Sequence, residues 1–398
     1  MILKMKNIIQ DYAWGSKEYL QKLTKIESDG PLAELWMGVH PRAESLVEKE
    51  AGKWCSLSEL IKSQPDQTIG DRLMRRFGNL PFLFKLLAAG EPLSIQAHPS
   101  KSQAEEGFRR EEEAGIPLDA FKRNYKDDNH KPEIVCALTP YWAMKGFRTP
   151  SDIRKNFLPW LPDEAVRLLF PDDQGEDKEQ LRTFFQALMN LEGPLKVTIL
   201  EKAVRWSEAE ETAACQWVLK LNKKYPGDLG ILSPLYLNTL CLQPGEALYL
   251  PAGELHAYLQ GFGVELMANS DNVLRGGLTP KYMDVPELMK ILTFHCDPPQ
   301  ILSSRSLPDG SGIYDTRSEE FQLININLTG DVSAIHLEAG YPVSILVVTE
   351  GSITVKQDGS VLTIKEGESC FLSKSGKSRN LSTVSEKGMG YIARAVPE

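Results

Sequence analysis

Apolar positions along this chain change their period twice. From residue 1 to about 150, and again over 229–300, apolar runs are short and broken by Gly and Pro, as in LPFLFKLLAAGEPLSIQAHP and LNTLCLQPGEALYLPAGELHAYLQGFGVELM. Such runs predict short antiparallel strands of a sandwich or barrel. Between them, 151–228 places apolar residues at helical spacing behind acidic starts, in SDIRKNFLPWL, DKEQLRTFFQALMNL, PLKVTILEKAVRW and EAEETAACQWVLKLNKKY. A helical insertion in a β domain is the economical reading. Strands return from 301 to 398 in FQLININL, YPVSILVVTEGSITVKQDG and VLTIKEGESCFLS, with Gln357-Asp358-Gly359 as a hairpin turn. The prediction is a mainly β chain: a first barrel from 1–150 and 229–300, helices over 151–228, and a second all-β domain over 301–398.

One stretch stands out for its chemistry. In GEPLSIQAHPSKSQ an apolar strand ends in Gln96-Ala97-His98 before Pro99. Side chains alternate along a strand, so Gln96 and His98 share a face. The pair fits a polar edge, a hydrogen-bonded couple or half of a metal site.

Composition narrows the field. The chain has 398 residues, 42% hydrophobic and 25% charged, with net charge −9. That balance is ordinary for a globular protein and argues against a nucleic-acid partner, which needs a basic face. A basic pocket for a small anion stays open. MILKMKNIIQDYAWGS lacks the apolar core of a secretory signal, and no run is long enough to span a membrane. The six cysteines lie apart, without a C-x-x-C pair. This argues against a disulfide framework and a thiolate zinc site, and a cytoplasmic location is expected. The run Glu111-Glu112-Glu113 reads as a solvated loop or helix face, and His40, His295 and His336 as ordinary hydrogen-bonded histidines.

Two spacings answer the Gln96–His98 question. Gly90 is followed after five residues by Gln96 and then His98; Gly245 is followed after five by Pro251, then Gly253, then His256. These resemble the two motifs of the cupin superfamily, G-x5-H-x-H with a later Glu and G-x5-P-x-G-x2-H, which belong to small jelly-roll barrels. Gln96 replaces the first histidine. The resemblance assigns Gln96, His98, Glu133 (in HKPEIVCAL, displaced by the loop SKSQAEEGFRREEEAGIPLDAFKRNYKDDNH) and His256 as metal ligands. Imidazole and carboxylate donors suit Zn²⁺ and other divalent first-row ions. Gly367-Glu368-Ser369-Cys370-Phe371-Leu372-Ser373 echoes the second motif with no histidine after it. The C-terminal domain therefore reads as a degenerate cupin barrel without metal that packs on or covers the first.

A narrower resemblance follows from NIIQDYAWGS, PLAELWMGVHPRAES, LPFLFKLLAAGEPLSIQAHPSK, NYKDDNHKPEIVCALT, SPLYLNTLCLQPGEALYLPAGELHAYLQG and VELMANSDNVLRGGLTPKYMDV. Together they are similar to the type I mannose-6-phosphate isomerases (phosphomannose isomerases). The resemblance implies reversible interconversion of mannose 6-phosphate and fructose 6-phosphate with one bound zinc. It carries the essential arginine to Arg275 and further pocket residues to Trp14, Lys85, Ser94, Lys131, Tyr258, Glu265, Asp271 and Lys281.

Such a reaction opens the sugar ring, moves a proton between C1 and C2 and stabilises charge on oxygen. The candidate bases are Glu265, Asp271, Lys131 and His130; Asp271 or Glu265 is preferred, with Lys131 assisting at oxygen. Ser94, Lys85 and Lys281, with Arg275 shared, are the candidates for the phosphate. Trp14 and Tyr258 read equally as core or as sugar-stacking aromatics. The expected partner is a small sugar phosphate, and a monomer is expected. An iron-dependent cupin dioxygenase and a non-catalytic sugar-binding cupin are the competing readings, separable by metal identity, oxygen dependence and turnover.

Overall fold

The computed structural model describes residues 1–171, 175–329, 332 and 334–397. Among these, two large antiparallel sheets carry the β structure. The first is organised by one long strand, His256–Ala268. Its second half pairs with Phe82–Ala89 on one side and Glu133–Ala137 on the other. Its first half pairs with Ile95–Ala97 and Tyr141–Phe147. The strand thus links two walls and bends between them at Gly261. There φ is +141°, and a Cβ would sit 2.8 Å from Tyr141 Cα, so only glycine fits.

Alternation sorts the side chains of the first wall. Leu87, Ala89, Val135 and Ala137 point into the barrel, beside Tyr141 and Tyr258. Leu86, Ala88, Ile134, Cys136, Val264 and Leu266 point outward, against Tyr314, Phe321, Phe371 and Ala393 of the second sheet. Both faces of these strands are buried, which explains why their sequences read as continuous apolar runs.

The helical insertion appears where the period changes. Its main helices are Pro150–Phe157, Asp163–Leu169, Asp177–Met189, Gly193–Ala209 and Ala213–Lys224. Thr149 and Thr212 cap two of them by accepting from the backbone N–H groups of Asp152 and Cys215. Phe157, Phe184, Phe185, Leu188 and Trp217 form one core with Phe147 and Leu259 of the barrel and with Tyr236 at the end of a short helix. Among the described residues, no helix is long and apolar enough to cross a membrane, and the six cysteines are free thiols.

The sheets depart from the expected boundaries at three places. Strand Ile2–Lys6 zips onto Ser369–Leu372 of the second sheet, with Ile2 opposite Leu372. The hairpin of Leu46–Glu50 and Lys53–Ser56 extends that sheet further. Ile301–Leu302 pairs with Ala247 and Leu248 in the first sheet. A bare edge at Ser369–Leu372 would leave backbone donors and acceptors unpaired, and the N-terminal strand satisfies them. Sequence periodicity identifies a strand but not the sheet that accepts it.

A second correction concerns the segment after Ser100, expected as a loop. It begins with the helix Lys101–Glu113, opened by a capping box between Ser100 and Gln103. Glu111 is not solvated: it is buried, 2.9 Å from Arg123 Nε, and accepts from the backbone N–H groups of Asn124 and Tyr125.

Candidate metal centre and substrate cavity

The site forms where the two walls of the first barrel face each other. On one wall, pairing register aligns Arg275 with Gln96, Gln96 with His256 and His256 with Lys145. Directly opposed residues present their side chains on one face. His98 follows Gln96 by two positions and shares that face. From the other wall come Glu133, at the start of its strand, and Lys85, opposite Glu265. A small polar cavity of about 60 Å³ is lined by Ser94, Gln96, Glu133, His256, Tyr258 and Glu265, together with Glu34, Lys85 and Lys131.

One ligand atom each from His98, Glu133 and His256 falls within 4.8 Å of the others. His98 Nε2 is 3.3 Å from Glu133 Oε1, and His256 Nε2 is 3.6 Å from Glu133 Oε2. Both Nδ1 atoms face backbone carbonyls: His98 donates to Asn272 O at 2.7 Å, and His256 to Glu254 O at 2.9 Å. That places the ring protons on Nδ1 and leaves both Nε2 lone pairs aimed at a carboxylate. Lone pairs facing a carboxylate repel, and the buried Nε2 of His98 has no hydrogen-bond partner. A divalent cation between them resolves the conflict, so the residues fit a metal. Gln96 Nε2 donates to Ser94 Oγ at 3.4 Å, a long contact that does not engage its carbonyl oxygen.

Electrostatics around this centre are concentrated. Burial, then Lys131, lowers the His98 imidazole to about 4, so it is neutral and able to ligate. Burial disfavours the Glu133 carboxylate, but Lys131, 2.5 Å from Oε1, together with His98, overrides it and holds Glu133 well below the usual range. Lys85 is buried, which would discharge it. Glu265 Oε2 at 2.8 Å and Glu34 Oε1 at 3.3 Å outweigh that and push its pKa up. Burial raises Glu265, with Lys85 opposing and Glu133 and Glu34 adding to the rise. Tyr258 Oη lies 3.5 Å from Glu133 Oε2.

Other expected residues stand at the edges or apart. Arg275 and Lys281 have no carboxylate partner among the described residues. Burial lowers both, and Arg275 and Arg42 lower Lys281 further. Trp14 is half-buried against the apolar cluster inside the first barrel, with Tyr12 at 5.7 Å. Asp271 does not line the cavity. Its carboxylate meets Arg42 Nη2 at 2.6 Å and His40 Nε2 at 3.4 Å. His130 does not line it either, because Glu320 of the second domain holds its Nε2 at 2.6 Å. Lys85, expected at the phosphate, has its charge committed to two buried carboxylates.

Glu34 went unread in the sequence, although it lines the cavity and accepts from Trp36 Nε1 at 2.8 Å. A signal existed: a carboxylate inside LAELWM needs a buried partner, as Lys85 does inside PFLFKLL. Asn272 and Asp127, which support the loop behind His98, carried no such signal.

A β-barrel with two histidines and a carboxylate converging on its interior defines a cupin-type fold with a centre able to hold one metal ion. The profile described as "Phosphomannose isomerase type I, catalytic domain" matches residues 2–150. Mannose-6-phosphate isomerase of Escherichia coli (strain K12) is 41% identical over 98% of both chains. The Homo sapiens enzyme is 35% identical over 92% of this chain and 93% of its own. Among solved structures, zinc-bound mannose 6-phosphate isomerase superposes with a TM-score of 0.89 at 37% identity, covering 99% of this chain and all of its own. A point mutant of phosphomannose isomerase from Salmonella typhimurium gives 0.90 at 37%, with the same coverage. The chain belongs to the type I mannose-6-phosphate isomerases, which are aldose–ketose isomerases.

Proposed function

We propose that this chain interconverts mannose 6-phosphate and fructose 6-phosphate through an enediolate, with one zinc ion held by Gln96, His98, Glu133 and His256. The carrying observation is the pair of Nε2 lone pairs turned on Glu133 beside a polar cavity. A zinc ion held by these residues would supply Lewis-acid polarisation of the substrate oxygens on which charge develops.

The proton between C1 and C2 is assigned to Glu265. It lines the cavity, and burial moves its carboxyl toward neutrality, which suits a group that must both take and return a proton. Lys85, 2.8 Å away, keeps that carboxylate oriented and neutralises it after the proton is returned. Lys131 also lines the cavity, beside Glu133, where its ammonium can donate to a substrate oxygen. Asp271 is the weaker base, since Arg42 and His40 already occupy its oxygens.

Phosphate recognition is assigned to Arg275 and Lys281. Two cations lacking a carboxylate among the described residues, each lowered by burial, gain most from a dianion. Arg275 stands one strand from Gln96, which sets the phosphate beside the metal wall. Trp14, Ser94 and Tyr258 are read as the sugar-contacting rim.

The test is an assay that supplies mannose 6-phosphate and detects fructose 6-phosphate, before and after chelation and zinc replacement. Turnover that disappears and returns with Zn²⁺ supports substrate, reaction and centre together. Turnover indifferent to chelation overturns the metal assignment.

A further inference from the structure

His98 takes its orientation from the carbonyl of Asn272, so whatever fixes that carbonyl fixes the ligand. Asn272 is completely buried, and its side chain is saturated. Oδ1 accepts from the backbone N–H of Lys126 at 2.7 Å and of Asp127 at 3.3 Å. Nδ2 donates to the backbone carbonyls of Asp127 at 2.7 Å and Asn129 at 2.9 Å, and to Asp127 Oδ1 at 3.2 Å. Its own N–H donates to Ser270 Oγ. One amide thus clamps the turn over residues 126–129. That turn leads directly into Lys131, whose ammonium touches Glu133.

We infer that Asn272 is a positioning residue, holding His98 through its carbonyl and Lys131 through its side chain, and so coupling the metal wall to the oxygen-contacting lysine. The inference rests on the proposed zinc centre and goes beyond the residues assigned to it. The physical reason is geometric. A buried amide with all its donors and acceptors used tolerates few orientations, and the carbonyl on the same residue inherits that rigidity. Supporting partners of this kind typically change metal affinity or activity by 10–100-fold when removed.

Two variants of the full-length zinc enzyme separate positioning from plain stability. Asn272→Asp keeps the shape, removes both Nδ2 donors and sets a carboxylate against Asp127. Asn269→Ala, in the same loop, removes a 2.6 Å bond to Leu80 O and none of the hydrogen bonds of Asn272. The measurements are the zinc dissociation constant, by competition with a chromogenic chelator, the melting temperature of the zinc-free protein, and kcat and KM separately.

Weaker zinc binding by about 10–100-fold and a lower kcat in Asn272→Asp, with zinc affinity unchanged in Asn269→Ala at a similar melting temperature, is the expected result. Equal zinc affinity in the two variants overturns the inference, as does a loss in Asn272→Asp confined to thermal stability. Should Asn272→Asp fail to fold, Asn272→Ser is measured by the same criteria. Absence of zinc binding by the parent protein would instead refute the metal assignment itself, a distinguishable failure.

Discussion

Inside the second barrel, Ile324, Ile326, Leu346, Val348, Ile353, Val355, Cys370 and Ile392 pack against one another. Its buried Arg379 is tied down locally, with Nε on Gln357 Oε1 and Nη2 on Ser373 O. The first barrel places Glu34, Lys85, Glu133, Glu265, His98 and His256 in its interior instead. Apolar packing stabilises a barrel outright. Buried charges stabilise it little, because desolvation offsets their attraction, and removing one partner leaves the other exposed to the full penalty. The same kind of scaffold therefore serves two ends in one chain: one interior is filled for stability, the other is kept polar at the expense of stability and supports chemistry. The barrels remain joined, since the outward face of the first packs on the second and the N-terminal strand completes the second sheet.

The comparison can be broken most directly at the centre. His256→Ala should reduce turnover to background in the sugar-phosphate assay, a loss beyond the roughly 10²–10³-fold that removal of one transition-state donor costs. Bound zinc, measured by metal analysis, should fall with it. Retained turnover would place the chemistry elsewhere. Glu265→Gln should lower kcat by on the order of a hundred- to a thousandfold with zinc content intact, read by steady-state kinetics and metal analysis. If Asp271→Asn is the variant that loses turnover and Glu265→Gln is not, the base assignment is reversed.

Within the apolar barrel the effect should change kind. Ile392→Ala, at a fully buried position, should cost about 2–5 kcal/mol in denaturant unfolding. The kcat/KM of the folded enzyme should stay near the parent value; a large loss would mean that the second barrel shapes the cavity. Lys281→Ala should raise KM for the phosphorylated sugar about tenfold and spare kcat, as expected for one charge-assisted contact at a partly exposed site. At the small end, Glu368→Gln breaks a 2.7 Å pair with Lys4 whose side chains are about one-third exposed. It should cost less than about 1 kcal/mol in unfolding free energy, and a larger loss would mark the N-terminal strand as a major tie between the barrels.

Much of this molecule is legible in the order of its residues. Strand and helix periods and the shared face of Gln96 and His98 are local properties, because a side chain's face is set by its neighbours two or four positions away. Glu133 is reached through resemblance, and the fold then places it 3.3 Å from His98. Tertiary structure alone decides the rest. It sends Ile2–Lys6 to the second sheet, buries Glu111 on Arg123, gives His130 to Glu320 and Asp271 to Arg42, and commits Lys85 to Glu34 and Glu265. The physical reason is common to all of these. A strand's edge and a charged side chain state a demand for a partner, which the sequence reveals; the supplier sits tens to hundreds of residues away, and only the closed fold shows which candidate arrives.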